Sequence, residues 1–315
     1  MIKKNIFGWI SVLILMLAST TGYASCGSAL CPFNTQLGLQ SYSNSKENQL
    51  DLHAEWIDQD QPQTKTDHLT VGEITRHHDE VRTINRNTVL TFDHAWNKQW
   101  AVSVSLPWRS VAHDHIHNHH QGTEHIPEHW SFNDVGDIRV LGRYQRVQNM
   151  GLLGGIKLPT GSFSVENDEG DVAERSLQPG SGTTDVLLGA FYQQHDIRSP
   201  HSWFAQILLQ ESLNTRDGFK SGRTVKLDGG VQYAASSQWS VLAQVNTVIR
   251  ARDQGDEAEP EDTGSQAIYF SPGVSFLVMP RIQLYSFFQQ PIYQNVHGVQ
   301  LVADYSFILG IKSSF

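Results

Sequence analysis

Cysteine is scarce in this sequence: Cys26 and Cys31 are the only two thiols in 315 residues. That count excludes a disulfide-dense scaffold and any four-thiolate metal centre. Long apolar runs are missing too, apart from one near the start, so nothing after it can cross a bilayer as a helix. Positive charge is in deficit, with 23 Lys and Arg against 32 Asp and Glu and a formal net charge of −9. That balance argues against nucleic acid as a partner.

The one apolar run has the layout of a secretory signal. Lys3 and Lys4 precede "IFGWISVLILML", and "STTGYAS" offers small residues around a cut after Ala24, with Gly22 and Ala24 at the recognition positions. The run is short for a retained anchor. Residues 1–24 are therefore expected to be a signal peptide, and their removal takes the net charge to about −11. Next comes "CGSALCPF". A disulfide between Cys26 and Cys31 is the expectation in an oxidising compartment, with a soft-metal thiolate pair or a lipidated Cys26 as alternatives.

Residues 299–315, "VQLVADYSFILGIKSSF", carry an apolar side chain at nearly every second position from Val299 to Ile311. A period of two gives a strand one apolar face and one polar face. The same pattern returns eleven times upstream. Its apolar members span 50–56, 84–92, 100–108, 138–144, 152–158, 186–192, 203–209, 225–233, 239–249, 268–276 and 282–288. Twelve strands, short connections alternating with long ones, and both ends on the short-turn side predict an all-β fold. The expected architecture is a transmembrane antiparallel up-and-down barrel over residues 50–315. Residues 25–49 form an N-terminal segment before it, either periplasmic or plugging the lumen. Phe92, Trp100, Tyr144, Tyr192, Trp203, Tyr233 and Trp239 fall at the short-turn ends, as an interfacial girdle requires. The mean hydropathy of −0.35 is no obstacle, because half of each strand faces a wet interior. The final strand with terminal Phe315 resembles the signal read by the barrel assembly machinery. That resemblance implies this machinery and outer-membrane lipid as partners, in the bacterial outer membrane.

Positions opposite the apolar ones are expected to line the lumen: Asp137, Arg139, Arg143, Lys157, Asp185, Asp228 and Arg250, with Arg82, Arg86, Arg109, Lys226, Asp304 and Lys312. They form either a structural charge network or a polar route for a small solute. No constellation for an enzyme emerges. His201 and Ser202 are adjacent, hence on opposite faces of a strand, so no catalytic residues are assigned. "NDVGDIRVLGRY" (133–144), "GGIKLPTG" (154–161) and "GTTDVLLGAFY" (182–192) resemble the strand motifs of an outer-membrane family associated with the meta-cleavage pathway of phenol degradation. Asp137, Pro159, Thr160, Gly161 and Asp185 occupy the motif positions, and the resemblance implies an outer-membrane transport role.

"HDHIHNHHQGTEHIPEH" (113–129) holds seven of the fifteen histidines. It is expected to be an outside loop binding zinc, copper or nickel through interchangeable His113, His115, His117, His119, His120, His125 and His129. A closed barrel acting as a surface metal-binding protein is the alternative to a channel. No cofactor is obligatory. Protonation near pH 6 to 7 is the rival use of the imidazoles.

Overall fold

A computed structural model describes residues 25–26, 33–35, 48–74, 79–117, 126–147, 149–195 and 199–315. The proposed signal peptide and Cys31 lie outside these residues, and Cys26 is described by its backbone alone. Among the described residues no helix is long and apolar enough to cross a membrane. Fourteen strands among these described residues form one sheet: β1 (Ser25–Cys26), β2 (Asn48–Lys65), β3 (Asp67–His68), β4 (Asp79–Ala95), β5 (Trp100–His117), β6 (Ile126–Val135) and β7 (Ile138–Val147) come first. They are followed by β8 (Met150–Leu158), β9 (Asp185–His195), β10 (His201–Ser212), β11 (Thr224–Ala234), β12 (Trp239–Arg250), β13 (Ser265–Met279) and β14 (Ile282–Ser314).

Two details reconcile this with twelve staves. β14 is a hairpin: its first arm pairs with β13 from Ile282 to Val296, and its second with β2 from Val299 to Ser314. Gly298 turns between them at φ +67°, where a Cβ would run into the Asp262 carboxylate. β6 and β7 both lie along β5, which pairs with 139–144 through its first half and 126–135 through its second. They are one stave interrupted at Gly136, whose N–H bonds the Pro107 carbonyl at 2.8 Å. The two-residue β1 and β3 are additions. Antiparallel pairing of β14 with β2 closes the ring and leaves no open edge, with Asn48 and Phe315 exchanging backbone hydrogen bonds at 2.9 Å.

The outward face is a continuous apolar belt that includes Leu52, Leu90, Leu106, Leu152, Ile207, Val231, Val245, Val274, Phe307 and Leu309, all exposed. At the short-turn side rings meet across strands. Trp100 packs on Tyr144 with centroids 4.4 Å apart, Tyr192 on Trp203 at 4.6 Å and Trp239 on Phe276 at 4.6 Å. Trp56 and Trp108 mark the opposite level. A closed ring with an apolar belt between two aromatic levels is the surface of a barrel built to sit in a lipid bilayer.

Several expectations need correction. Arg82 and Arg86 point outward, Arg82 to Asp58 at 2.5 Å and Arg86 over the Trp56 ring at 4.8 Å. Bulges on either side of Ala303 turn Asp304 outward and bury Val299, Leu301 and Ala303, against the simple alternation. β5 also runs nine residues past Trp108, to His117, so His113 and His115 stand on a strand rather than on a loop. At about 3.3 Å per residue, an 18-residue strand greatly exceeds an apolar band about 25 Å tall. The barrel wall therefore continues well outside the membrane.

Candidate functional site

The sequence stretches 133–144, 154–161 and 182–192 meet at one place. Lys157 ends β8 facing inward, buried, with its ammonium 3.0 Å from Asp137 and 3.1 Å from Asp185. Asp137 immediately precedes β7 and also accepts from the Gly161 N–H at 3.1 Å and the Ser181 N–H at 2.9 Å. Thr160 donates to the Gly136 carbonyl at 3.0 Å and accepts from the Ile138 N–H at 2.9 Å. Gly180 sits so close to Asp137 that a Cβ there would fall 2.5 Å from its carboxylate. Asp185 accepts from Thr183 and Ser212 at 2.8 Å each. The hub thus fixes both ends of the 159–184 connection with charge-assisted hydrogen bonds.

That connection folds into the mouth of the barrel. Ala173 and Leu177 pack with Val111, Trp130, Phe132 and Leu301 in a buried cluster, and the Gln178 carbonyl accepts from Arg109. The segment is a septum between two cavities. On the membrane side, a cavity of about 180 Å³ is lined by Arg109, Arg139, Lys157, Arg175, Lys226 and Arg250, with Asp137 as its one acidic side chain. Arg250 is held by Asp253 at 2.6 Å. Arg139, Asp137, Lys157, Asp185, Asp228, Arg143 and Arg250 all face the lumen, with Arg143 over the Phe191 ring.

Deeper still lies a third cavity of about 170 Å³ in which Phe33 and Asn34 are found. Phe33 packs on Phe287 with centroids 4.1 Å apart, and Asn34 reaches Asp228 and Gln244. Part of the N-terminal segment therefore lies inside the ring. His53, which lines the same cavity, stands 2.8 Å from Asp51, which also accepts from the Tyr285 hydroxyl at 2.9 Å.

Outside the septum the character reverses. A cavity of about 520 Å³ is lined by seven carboxylate side chains and a single guanidinium, that of Arg175. Burial and the neighbouring Glu80 push the Glu174 carboxyl well up. The same causes, with Asp262, raise Glu259 to about 8. His113 and His115 line this cavity, and both are buried. His113 Nε2 is 2.9 Å from Glu80, and His115 Nε2 is 3.0 Å from Glu128. Of the seven histidines, these two share the cavity lining. His129 points away, exposed, to Asp114 at 2.7 Å. His119, His120 and His125 lie outside the described residues, as does the His117 side chain. Glu80 was missed because a bulge between Glu80 and Arg82 breaks the alternation that identifies Thr83, Asn85 and Asn87 as inward.

Fold and site together define an outer-membrane β-barrel with a polar, partitioned lumen. The chain belongs to the family described as "MetA-pathway of phenol degradation", which matches residues 129–292. Among solved structures it is similar to the COG4313 outer membrane channel from Pseudomonas putida F1, with TM-score 0.66 and 11% identity. That alignment covers 90% of this chain and 99% of the other. The P. putida toluene transporter TodX aligns at TM-score 0.45 and 11% identity, over 94% and 96% of the two chains. No curated protein matches the sequence at a significant level.

Proposed function

We propose that the protein is an outer-membrane channel for a small organic anion, a carboxylate with a compact apolar body. The observation that carries this reading is the cation-lined cavity beneath the septum, with six cationic side chains against one acidic one. Low-dielectric walls focus such a field and raise the local concentration of anions. The next cavity inward adds Leu141, Leu187, Leu208 and Phe33, a surface for the apolar body. The segment carrying Phe33 and Asn34 narrows the route. Phe315 serves as the handle for the assembly machinery. The family's description, with its reference to phenol degradation, agrees with a small organic solute.

Planar-bilayer recording under a salt gradient tests the reading. The reversal potential should show anion preference, and Lys226→Glu should reduce that preference several-fold. Deleting residues 25–46 should raise single-channel conductance. Cation preference in the unaltered protein would sink the proposal. A metal-linked role is the second reading, favoured by the grouping of Glu80, His113 and His115.

A further inference from the structure

A defined constellation on three adjacent strands borders the outer cavity, which His113, His115 and Glu128 line. Glu80 on β4 lies directly opposite His115 on β5, which lies directly opposite Glu128 on β6. His113 is two residues from His115 and therefore shares its inward face. Ligand atoms of Glu80, His113 and His115 all lie within 4.8 Å of one another, and all three residues are buried. A tetrahedral ion with bonds of about 2.0 Å holds its ligand atoms about 3.3 Å apart, so rotamer-scale shifts bring these three into range.

We propose that Glu80, His113 and His115 form a site for a divalent transition metal of the zinc type, with its fourth position open to the outer cavity. Three further observations support it. The rings are held from behind: Thr83 Oγ1 is 2.8 Å from His113 Nδ1, leaving Nε2 for the ion, and Trp130 stacks on His115 with centroids 4.8 Å apart. Such outer partners fix ring orientation in metal sites. Even with Glu174 and Glu259 keeping their protons, five carboxylates of the cavity face one guanidinium, an excess of negative charge that a dication offsets. Imidazole with carboxylate is the donor set that suits zinc or copper. Three protein ligands and an open position describe an ion that can exchange with solvent or bind a passing ligand. This site is independent of whether the lumen conducts. It also replaces the picture of interchangeable loop histidines with a fixed one.

The level is outside the bilayer. His115 is seven residues beyond Trp108, about 23 Å of strand and about 18 Å of height at a tilt near 40°. An ion there is met before a solute reaches the septum.

The test uses the full-length barrel, refolded without metal, titrated with Zn²⁺ against a chelating indicator and separately with Co²⁺. One tight equivalent should remain when His117, His119, His120 and His125 are all changed to Ala. Glu80→Gln and His113→Ala should each weaken that equivalent by more than roughly 100-fold, and Thr83→Val by about 10-fold. Co²⁺ should give the intense visible bands of a four-coordinate site, absent in His115→Ala. Retained heat-modifiable gel migration certifies that each variant is folded, and Thr83→Val tests the site without removing a ligand. A tight equivalent lost in the four-histidine variant and kept in Glu80→Gln would overturn the proposal. So would the lack of any tight equivalent.

Discussion

The two cavities separated by the septum share Arg175, Ser176 and Phe219 as lining, yet they carry opposite charge. The inner one collects guanidinium and ammonium groups from the middle of β5, the starts of β7 and β11 and the ends of β8 and β12. The outer one is built from extramembrane strand extensions and from the 159–184 and 251–264 connections, rich in carboxylate. The contrast shows that the polarity of a barrel interior is set level by level. A loop of some two dozen residues, pinned at both ends by Lys157, is enough to keep the levels apart.

The largest expected effect comes from removing that pin. Lys157→Met leaves Asp137 and Asp185 buried without their shared cation, and should cost about 3–5 kcal/mol. Urea unfolding followed by tryptophan fluorescence measures it, and a loss below about 1 kcal/mol would refute the hub. Next is Leu177→Ala, which removes the septum's anchor from the cluster around Val111 and Trp130. It should destabilise by about 2–4 kcal/mol and merge the two cavities, read as proteolytic cleavage within 159–184 and higher conductance. An uncleaved loop with unchanged conductance would mean that the anchor lies elsewhere.

A smaller effect concerns pH. Burial and nearby carboxylates hold Glu259 at about 8, against an ordinary value of 4.5. Between those values the folded loop keeps a proton that the unfolded loop releases, so its stability falls as pH rises from about 4.5 to 8. Amide exchange around Asp253–Asp262 in metal-free protein should therefore quicken over that range, beyond the intrinsic rate. Glu259→Gln should flatten the trend. Slower relative exchange at pH 8 would contradict the assignment. The smallest effect is Arg82→Ala: this guanidinium lies on the outer surface of the same strand as Glu80. It should change neither Zn²⁺ affinity nor reversal potential measurably, showing that inward charges alone define both cavities.

The staves, their order and the girdle were readable because, inside the membrane, the outward face must be apolar and the inward face need not be. Lys157, Asp137 and Asp185 followed from the same rule. The histidines were harder. Above Trp108 the outward positions become Ser110, Ala112 and Asp114, so the contrast that reveals a strand disappears although the strand continues. The alternation of His113 and His115 was the remaining trace of period two. Glu80 was hidden by a one-residue bulge, and the inward turn of Val299 to Ala303 by the bulges near Ala303. Parity fails wherever a residue is inserted.

The placement of Phe33 and Asn34 has a consequence for the order of events during assembly. These residues touch Phe287, Asp228 and Gln244, which face the interior of a ring sealed between β2 and β14. A segment enclosed by a sealed ring has no sideways escape; it entered either before the seam zipped or along the axis afterwards. If it entered first, it was present as a template while inward side chains were still choosing rotamers. Its contacts then record a moment in biogenesis, when the wall was curved but not yet joined.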